Sequence, residues 1–268
     1  MTLFSQRSLH AFFAFLKSRA RPLPAALLLT LSAFAGSNAF AQSHAATQYK
    51  INPPPSADLN YVIEAQQSGL MLKGNGLVQW KAAQQQYSVH NETNAQLFGK
   101  ILDTRSEGKI DKFGLSPAQF LQKRLRKDAT TTTFNGDSKT ITFNQSGQTY
   151  PIVGGEQDRA SVVWQLLAIA RAAPKKFVAG SEWQFFVAGE RDADVWTFKV
   201  MKNEKIVTPK GEFNAVHVFR TPPPDSQEQK LDIWLAPTLE WYPVKLRFTD
   251  ADGSYIEQSL ESVSKAGS

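Results

Sequence analysis

The sequence predicts a mainly β protein in which a long, curved antiparallel sheet forms a half-barrel or an open barrel. One amphipathic helix is expected to pack on the concave face of this sheet, and one short helix lies elsewhere in the chain. Two observations predict this fold class. Short runs of β-forming residues alternate with turn residues along most of the chain, and several runs alternate apolar with polar side chains. One amphipathic segment interrupts them, and it needs a sheet to lie on.

Residues 1–41 predict a cleavable signal peptide rather than a structural element. A basic leader without acids runs into an apolar stretch over residues 25–35, and residues 38–41 (Asn-Ala-Phe-Ala) supply the small-x-small pattern of a cleavage site. The apolar stretch is about half as long as the roughly twenty residues that span a bilayer. Cleavage between Ala41 and Gln42 would leave no transmembrane span and place the protein in the periplasm or outside the cell.

Residues 42–57 are polar and contain three consecutive prolines at 53–55, a composition typical of a flexible N-terminal tether. Residues 58–264 are expected to form a single β-rich domain, because no repeat or interdomain linker interrupts them. Its first predicted strands cover residues 59–67, 71–80, 86–94 and 98–107.

The middle of the chain carries one helix signal and one hairpin signal. Ser116, Pro117 and Gln119 have the spacing of a helix start and predict the short helix over residues 116–126. Asn135-Gly136 lies between β-forming runs at 130–134 and 140–143, which predicts a tight hairpin.

The amphipathic helix is predicted over residues 158–172, because its apolar residues recur on one face and Pro174 follows it. Seven more strands are predicted at 183–188, 195–201, 205–208, 213–220, 230–236, 243–249 and 255–263. Alternation within them predicts which side chains face the core, for example Ala215, His217 and Phe219.

Charge and cysteine content exclude several classes of protein. Of the 30 Lys and Arg, four lie in the leader, so 26 remain against 24 acids and the net charge falls from +6 to +2. The only dense basic run is 123–127, and nucleic-acid binding is therefore not expected. The sequence has no cysteine, which excludes disulfides, thiol catalysis, Cys-ligated metals and a lipid-modified N-terminal cysteine.

No catalytic motif is recognisable. The sequence lacks the zinc-protease helix, the nucleophile elbow, the phosphate loop and the dinucleotide fingerprint. His90 and Glu92 share a strand face and leave a metal pair geometrically open, although a solvated strand face is the favoured interpretation. His217 is interpreted as a buried or edge histidine. We therefore predict no catalytic residue, no metal centre and no cofactor.

Aromatic residues are the most suggestive candidates for binding. All six Trp follow the leader, and large flat side chains at the mouth of a curved sheet suit an apolar ligand. Filling of an ordinary core is the favoured alternative. The side chains chosen as candidate ligand-binding residues are Trp164, Trp183, Trp196, Phe198 and Trp234.

Three segments carry a resemblance to a known family. They are 208–213 (Thr-Pro-Lys-Gly-Glu-Phe), 231–237 (Leu-Asp-Ile-Trp-Leu-Ala-Pro) and 242–248 (Tyr-Pro-Val-Lys-Leu-Arg-Phe), with support from Asp252-Gly253 and 158–167. Together they resemble domain-of-unknown-function family 3108, a set of exported bacterial proteins without an established activity. The resemblance implies no catalytic residues. A curved sheet around a helix is also similar, in fold alone, to periplasmic lipoprotein carriers of the LolA type.

These features predict a non-catalytic, exported cell-envelope protein that binds an apolar or amphipathic ligand, such as a lipid, in a curved-sheet cavity. The alternative is an assembly or scaffolding protein that holds an envelope protein partner through a sheet edge or an apolar patch. An enzyme that uses Glu92 or an aspartate pair ranks third. A void between helix 158–172 and the sheet would favour the ligand carrier, and filled space would favour the scaffold.

Overall fold

The computed structural model describes residues 44–67, 69–222 and 228–265. Within these residues the chain forms one sheet of 15 strands, one α-helix and one 3₁₀ turn at Pro237–Leu239. The helix is α1 (Ser161–Ala172). The strands are β1 (Ala57–Gln67), β2 (Leu70–Ala83), β3 (Gln86–Ala95), β4 (Gly99–Asp111), β5 (Gly114–Arg124), β6 (Thr130–Asn135), β7 (Thr140–Phe143), β8 (Ser146–Pro151), β9 (Gln157–Asp158), β10 (Glu182–Ala188), β11 (Ala193–Thr208), β12 (Gly211–Arg220), β13 (Lys230–Leu235), β14 (Pro243–Thr249) and β15 (Tyr255–Lys265).

The sheet consists of two antiparallel meanders joined in the middle. Its order runs from β8 down to β1, then from β15 down to β9, so the first and last strands of the domain pair with each other. Among the described strands, only the short β9 pairs in parallel, with β10. The edge strands β8 and β9 do not pair, and the sheet is a curved, open one, as predicted. The signal peptide predicted over residues 1–41 lies outside the described residues.

Side-chain alternation along the strands gives the sheet an inner and an outer face. On β1, Leu59, Tyr61 and Ile63 are at most 2% exposed, whereas the residues between them are half-buried. Burying each such large apolar side chain contributes roughly 1.5–3 kcal/mol. This buried side is the inner face, and it carries most of the core.

The predicted amphipathic helix is confirmed as α1, and it packs against the inner face. Asp158 lies just before the helix, where its Oδ1 accepts the N–H groups of Ala160 and Ser161 at 2.8 Å each. On the helix itself, Trp164 stacks on Trp80 of β2 with ring centroids 4.3 Å apart. Because Asp158 caps the first turn, the helix begins three residues later than its predicted start at residue 158.

The predicted short helix over residues 116–126 is wrong, because residues 116–124 belong to β5 and residues 125–126 form the turn after it. The local pattern of a helix start is outweighed by pairing of this segment with β4. In the strand conformation Phe120 is buried in the core. Pro117 fits because it lies opposite Gly108 at an irregularity in the β4–β5 register. A side chain at Gly108 would start 2.2 Å from the carbonyl oxygen of Ser116, so the close approach of the two strands requires glycine there.

The hairpin at Asn135-Gly136 is confirmed as β6–β7, with Asn135 Oδ1 accepting the N–H groups of Asp137 and Ser138 at 2.9 Å.

Two details of the C-terminal strands differ from prediction. The separate strands predicted at 195–201 and 205–208 are one strand, β11, with a register shift between Val200 and Asn203.

The predicted core face of β12 is also reversed. Val216 and Val218 face the core, whereas His217 and Phe219 lie on the outer face. Apolar and polar residues do not alternate cleanly there, since a valine follows both Ala215 and His217.

Residues 44–56, within the segment predicted as a tether, lie along the domain in extended form. The N–H of Thr47 donates to Gly154 and the N–H of Asn52 donates to Ala168 in α1. The carbonyl oxygens of Pro54 and Pro55 accept hydrogen bonds from Trp80 Nε1 (3.0 Å) and the Tyr242 hydroxyl (2.6 Å). An extended, proline-rich backbone has no internal hydrogen bonds, so its carbonyl groups are free to accept from the domain.

Candidate functional site

The five candidate aromatics do not line one pocket. Trp164 and Phe198 are core side chains, 3% and 0% exposed. Trp183 is half-buried between Tyr49 and Phe177, with ring centroids 5.4 and 5.8 Å away.

Trp196 and Trp234 lie in two further environments. Trp196 is on the inner face, where the guanidinium of Arg220 lies 4.1 Å from its ring centroid. Trp234 is on the outer face, where it stacks on His217 at 4.7 Å. Trp234 and Trp196 therefore lie on opposite faces of the sheet, since the register partner of Trp234, His217, faces outward.

The space between α1 and the sheet is filled. Trp80, Leu166 and Phe198 have no accessible surface, so no water-sized void borders them. Two cavities of about 310 and 340 Å³ lie elsewhere in the described part of the chain. Gln66, Gly69 and residues 252–254 line one, and Lys205 with residues 212–214 lines the other.

A buried polar cluster anchors the start of α1. Ser106 Oγ donates to Asp158 Oδ2 at 2.5 Å and lies 3.1 Å from the Tyr87 hydroxyl. Burial raises the pKa of Asp158 to about 6, although hydrogen bonds from Ser106 and the backbone partly offset that effect. Both Ser106 and Asp158 are 0% exposed, so this cluster is a structural anchor rather than a site open to a substrate.

Two arginines with little exposed surface form ion pairs. Arg124 pairs with Glu190, and Arg220 pairs with Glu228. Burial lowers the pKa of both guanidinium groups, and the partner carboxylate opposes that shift in each case. Arg124 ends β5 and Glu190 follows β10, so the first pair joins strands that are distant in the sheet. The second pair lies within the hairpin that joins β12 to β13.

Three neighbouring hairpin tips form a surface that is both apolar and basic. This tip surface consists of residues 67, 69–73, 96–100 and 123–127. The N–H of Gln96 donates to Lys73 and the N–H of Leu125 donates to Ile101, which keeps the three tips side by side. A separate apolar cluster lies beneath them, with Ile63, Ala65, Ala95, Ile101 and Ile256 buried.

The tip surface exposes large apolar side chains at its outermost points. Leu70, Met71 and Leu97 are 40%, 54% and 76% exposed. The same segments contain six basic residues and no acid. Lys100 pairs with Glu92 and Asp103, and Arg124 pairs with Glu190, so the positive charge of the surface comes from the other four: Lys73, Lys123, Arg126 and Lys127. The basic run at 123–127 is visible in the sequence. The other two hairpin tips, at 69–73 and 96–100, lie beside it only because the strands pair.

Two histidines on the outer face lie beside carboxylates. His90, Glu92 and Asp103 place one nitrogen or oxygen atom each within 4.8 Å of one another, so these residues could hold a metal ion. His217 instead has Glu204 at Nδ1 (3.1 Å) and Asp232 at Nε2 (2.7 Å). Burial lowers the pKa of His217, but the two carboxylates outweigh it, and the net pKa lies above the ordinary value.

Comparison with known sequences identifies the family. A family model described as a protein of unknown function (DUF3108) matches residues 60–261. The chain belongs to the DUF3108 family. This confirms the resemblance carried by residues 208–213, 231–237 and 242–248. A search of the curated proteins finds no match to the sequence.

One solved structure supports the fold. The DUF3108 chain is similar to a β-barrel-like DUF1849 protein from Brucella abortus, with 12% identity and a TM-score of 0.52, over 80% of this chain and 98% of that one. A domain from Vibrio parahaemolyticus, provisionally described as outer-membrane lipoprotein-sorting, matches with 8% identity and a TM-score of 0.26, over 80% of this chain and 86% of that one. The first likeness shows the fold alone, and the second is too distant to carry an argument about function.

The described residues contain no helix with the length and hydrophobicity needed to cross a bilayer.

Proposed function

We propose that this DUF3108 protein is a non-catalytic protein of the cell envelope that docks on the surface of an anionic bilayer through its tip surface. The observation that supports this is that the exposed apolar side chains of the tip surface lie in the same segments as four basic residues, Lys73, Lys123, Arg126 and Lys127. The predicted signal peptide supports an envelope location. The lipid predicted as a ligand is thus a surface partner rather than the occupant of an internal cavity.

The chemistry of the tip surface suits the interface of a membrane. Each Lys or Arg near an anionic leaflet contributes about 1 kcal/mol of attraction, and apolar side chains gain further free energy by entering the acyl boundary. Leu97 lies in a turn between two paired strands, so a rigid sheet presents it. Stable attachment needs two such signals together, and the tip surface combines them.

The filled interior argues against internal transport of a lipid. An internal ligand would need to displace the stacked pair Trp80 and Trp164 or the core side chain Phe198. The buried ionisable cluster at Asp158 is likewise enclosed, which supports a non-catalytic role.

Sedimentation with lipid vesicles tests the docking proposal. The protein is expected to bind vesicles of phosphatidylglycerol and phosphatidylcholine, and to bind pure phosphatidylcholine vesicles weakly. The double variant Met71→Asp/Leu97→Asp is expected to lose at least about tenfold in affinity, which corresponds to about 1.4 kcal/mol. Added salt should weaken binding because the attraction is partly electrostatic.

Val207→Asp is the matched control. Val207 is 66% exposed and lies near the Thr208 end of β11, outside the segments of the tip surface. This control should bind vesicles like the parent protein. Equal binding by the parent protein and the double variant would contradict the proposal. Preference for a nucleic acid over vesicles would assign the basic residues to another partner.

A second candidate function is envelope assembly through a sheet edge. Among the described strands β8 is an edge, and residues 147–149 within it are exposed. An exposed edge can accept a strand from a partner protein. Site-specific crosslinking from position 148 in cells would favour this function if it captured one envelope protein, and crosslinking from position 97 to lipid would favour docking.

A further inference from the structure

A second site lies on the outer face of β3 and β4, where His90, Glu92 and Asp103 converge. His90 Nε2 lies 3.1 Å from Asp103 Oδ1 and 3.4 Å from Glu92 Oε1. Metal ligands at about 2.0–2.2 Å from one ion lie roughly 3.0–3.5 Å from each other in tetrahedral or octahedral geometry. The separations from His90 therefore match those of ligands around a single ion.

Strand register places two carboxylates side by side at this site. Glu92 and Asp103 are directly opposite each other across β3 and β4, and like charges in that position are destabilising. Lys100 supplies one positive charge, with Nζ 2.7 Å from Glu92 Oε1 and 3.1 Å from Asp103 Oδ2, and Arg105 supplies a second, with Nε 3.7 Å from Asp103 Oδ1. The Lys100 side chain is 47% exposed and flexible, so an ion can displace it at little cost.

The hydrogen bonds of His90 orient its ring toward the two carboxylates. Gln79 Nε2 points at the carboxylate of Asp58, 3.4 and 3.5 Å from its oxygens, which places Gln79 Oε1 on the side of His90. Gln79 Oε1 lies 3.3 Å from His90 Nδ1. Because Oε1 only accepts, Nδ1 donates to it, and Nε2 is the ring nitrogen that faces the two carboxylates. A hydrogen bond at the second ring nitrogen is the usual arrangement of a metal-binding histidine.

We infer that His90, Glu92 and Asp103 form a binding site for a divalent transition-metal ion of the Zn²⁺ class, with Lys100 as the cation that occupies it in the absence of metal. One imidazole and two carboxylates suit Zn²⁺ and Co²⁺ better than Mg²⁺ or Ca²⁺, which prefer oxygen ligands alone. The site faces solvent, so water completes the coordination.

His217 provides a matched control on the same face of the sheet. It too lies between two carboxylates, but Glu204 and Asp232 bind opposite nitrogens of its ring. Those oxygens do not converge on one point, so the His217 cluster is not expected to hold an ion.

Zn²⁺ titration calorimetry on the protein without a histidine tag tests the site. We expect binding of one Zn²⁺, a loss of affinity of at least about tenfold in His90→Ala, and no loss in His217→Ala. Lys100→Met is expected to tighten Zn²⁺ binding, because it removes the competing ammonium group. If the Lys100 salt bridge had no role in metal binding, the Lys100→Met variant would be less stable but would bind Zn²⁺ with unchanged affinity.

The inference is overturned if the parent protein binds no Zn²⁺, or if His90→Ala and His217→Ala lose affinity equally. Should His90→Ala fail to fold, the parent protein and Lys100→Met still decide the question. Co²⁺ added to them should give the visible absorption of a nitrogen- and oxygen-ligated ion, and a spectrum no different from free aqueous Co²⁺ would count against the site.

Discussion

Trp164→Ala is expected to lower the free energy of unfolding by about 3–5 kcal/mol, the largest loss we predict for one substitution in this protein. Trp164 is 3% exposed, stacks on Trp80 and contacts the edge of Tyr242. Removing the indole leaves a cavity between α1 and the inner face that rigid neighbouring strands cannot close. Urea unfolding followed by circular dichroism measures the loss.

Trp234→Ala is the control for this experiment. Trp234 is also largely covered, but its cover on the outer face includes the flexible side chain of Lys245, 5.5 Å from its ring. The Lys245 side chain can close over the gap that the Trp234 ring leaves. The loss of unfolding free energy should therefore be less than half that of Trp164→Ala. Equal losses would contradict the assignment of Trp164 to a filled core.

Asp158→Asn is expected to become more stable relative to the parent protein as the pH rises. Burial raises the pKa of Asp158 to about 6 from 3.8, so the folded state favours the protonated carboxyl. That contribution to stability is complete below pH 3.8 and is lost as the pH rises through about 6. Asparagine mimics the protonated group and does not titrate. The difference in unfolding free energy should therefore grow by roughly 2–3 kcal/mol between about pH 4 and pH 7.

Chemical denaturation of both proteins across this pH range measures the difference. Ser106→Ala offers a second comparison, since the Ser106 hydroxyl lowers the pKa of Asp158. Its removal should extend the loss of stability to higher pH. A difference between Asp158→Asn and the parent protein that stays constant with pH would show that burial does not perturb this carboxyl.

Local patterns in the sequence were sufficient for the class of fold and for several elements. The Asn135-Gly136 hairpin and α1 depend on neighbouring residues, so sequence predicts both. The helix prediction for residues 116–126 was wrong because the strand conformation of this segment depends on pairing with β4 and on the close approach of the two strands at Gly108. The outer position of Trp234 likewise depends on the register between β12 and β13.

The candidate sites were only partly visible in the sequence. The pair His90 and Glu92 could be seen, but Asp103 comes from the next strand and enters through cross-strand pairing. The tip surface joins residues from three separate hairpins, such as Met71, Leu97 and Arg126. No local sequence pattern connects these residues. Only the basic run at 123–127 indicated where part of the tip surface lies.

Single-site fluorescence labelling tests bilayer docking most directly. The sequence has no cysteine, so Leu97→Cys and Val207→Cys each carry one environment-sensitive probe. With vesicles that contain phosphatidylglycerol, emission from position 97 should shift to shorter wavelength as the tip enters the acyl boundary, and emission from position 207 should not change. No shift at position 97, or an equal shift at both positions, would contradict docking through the tip surface.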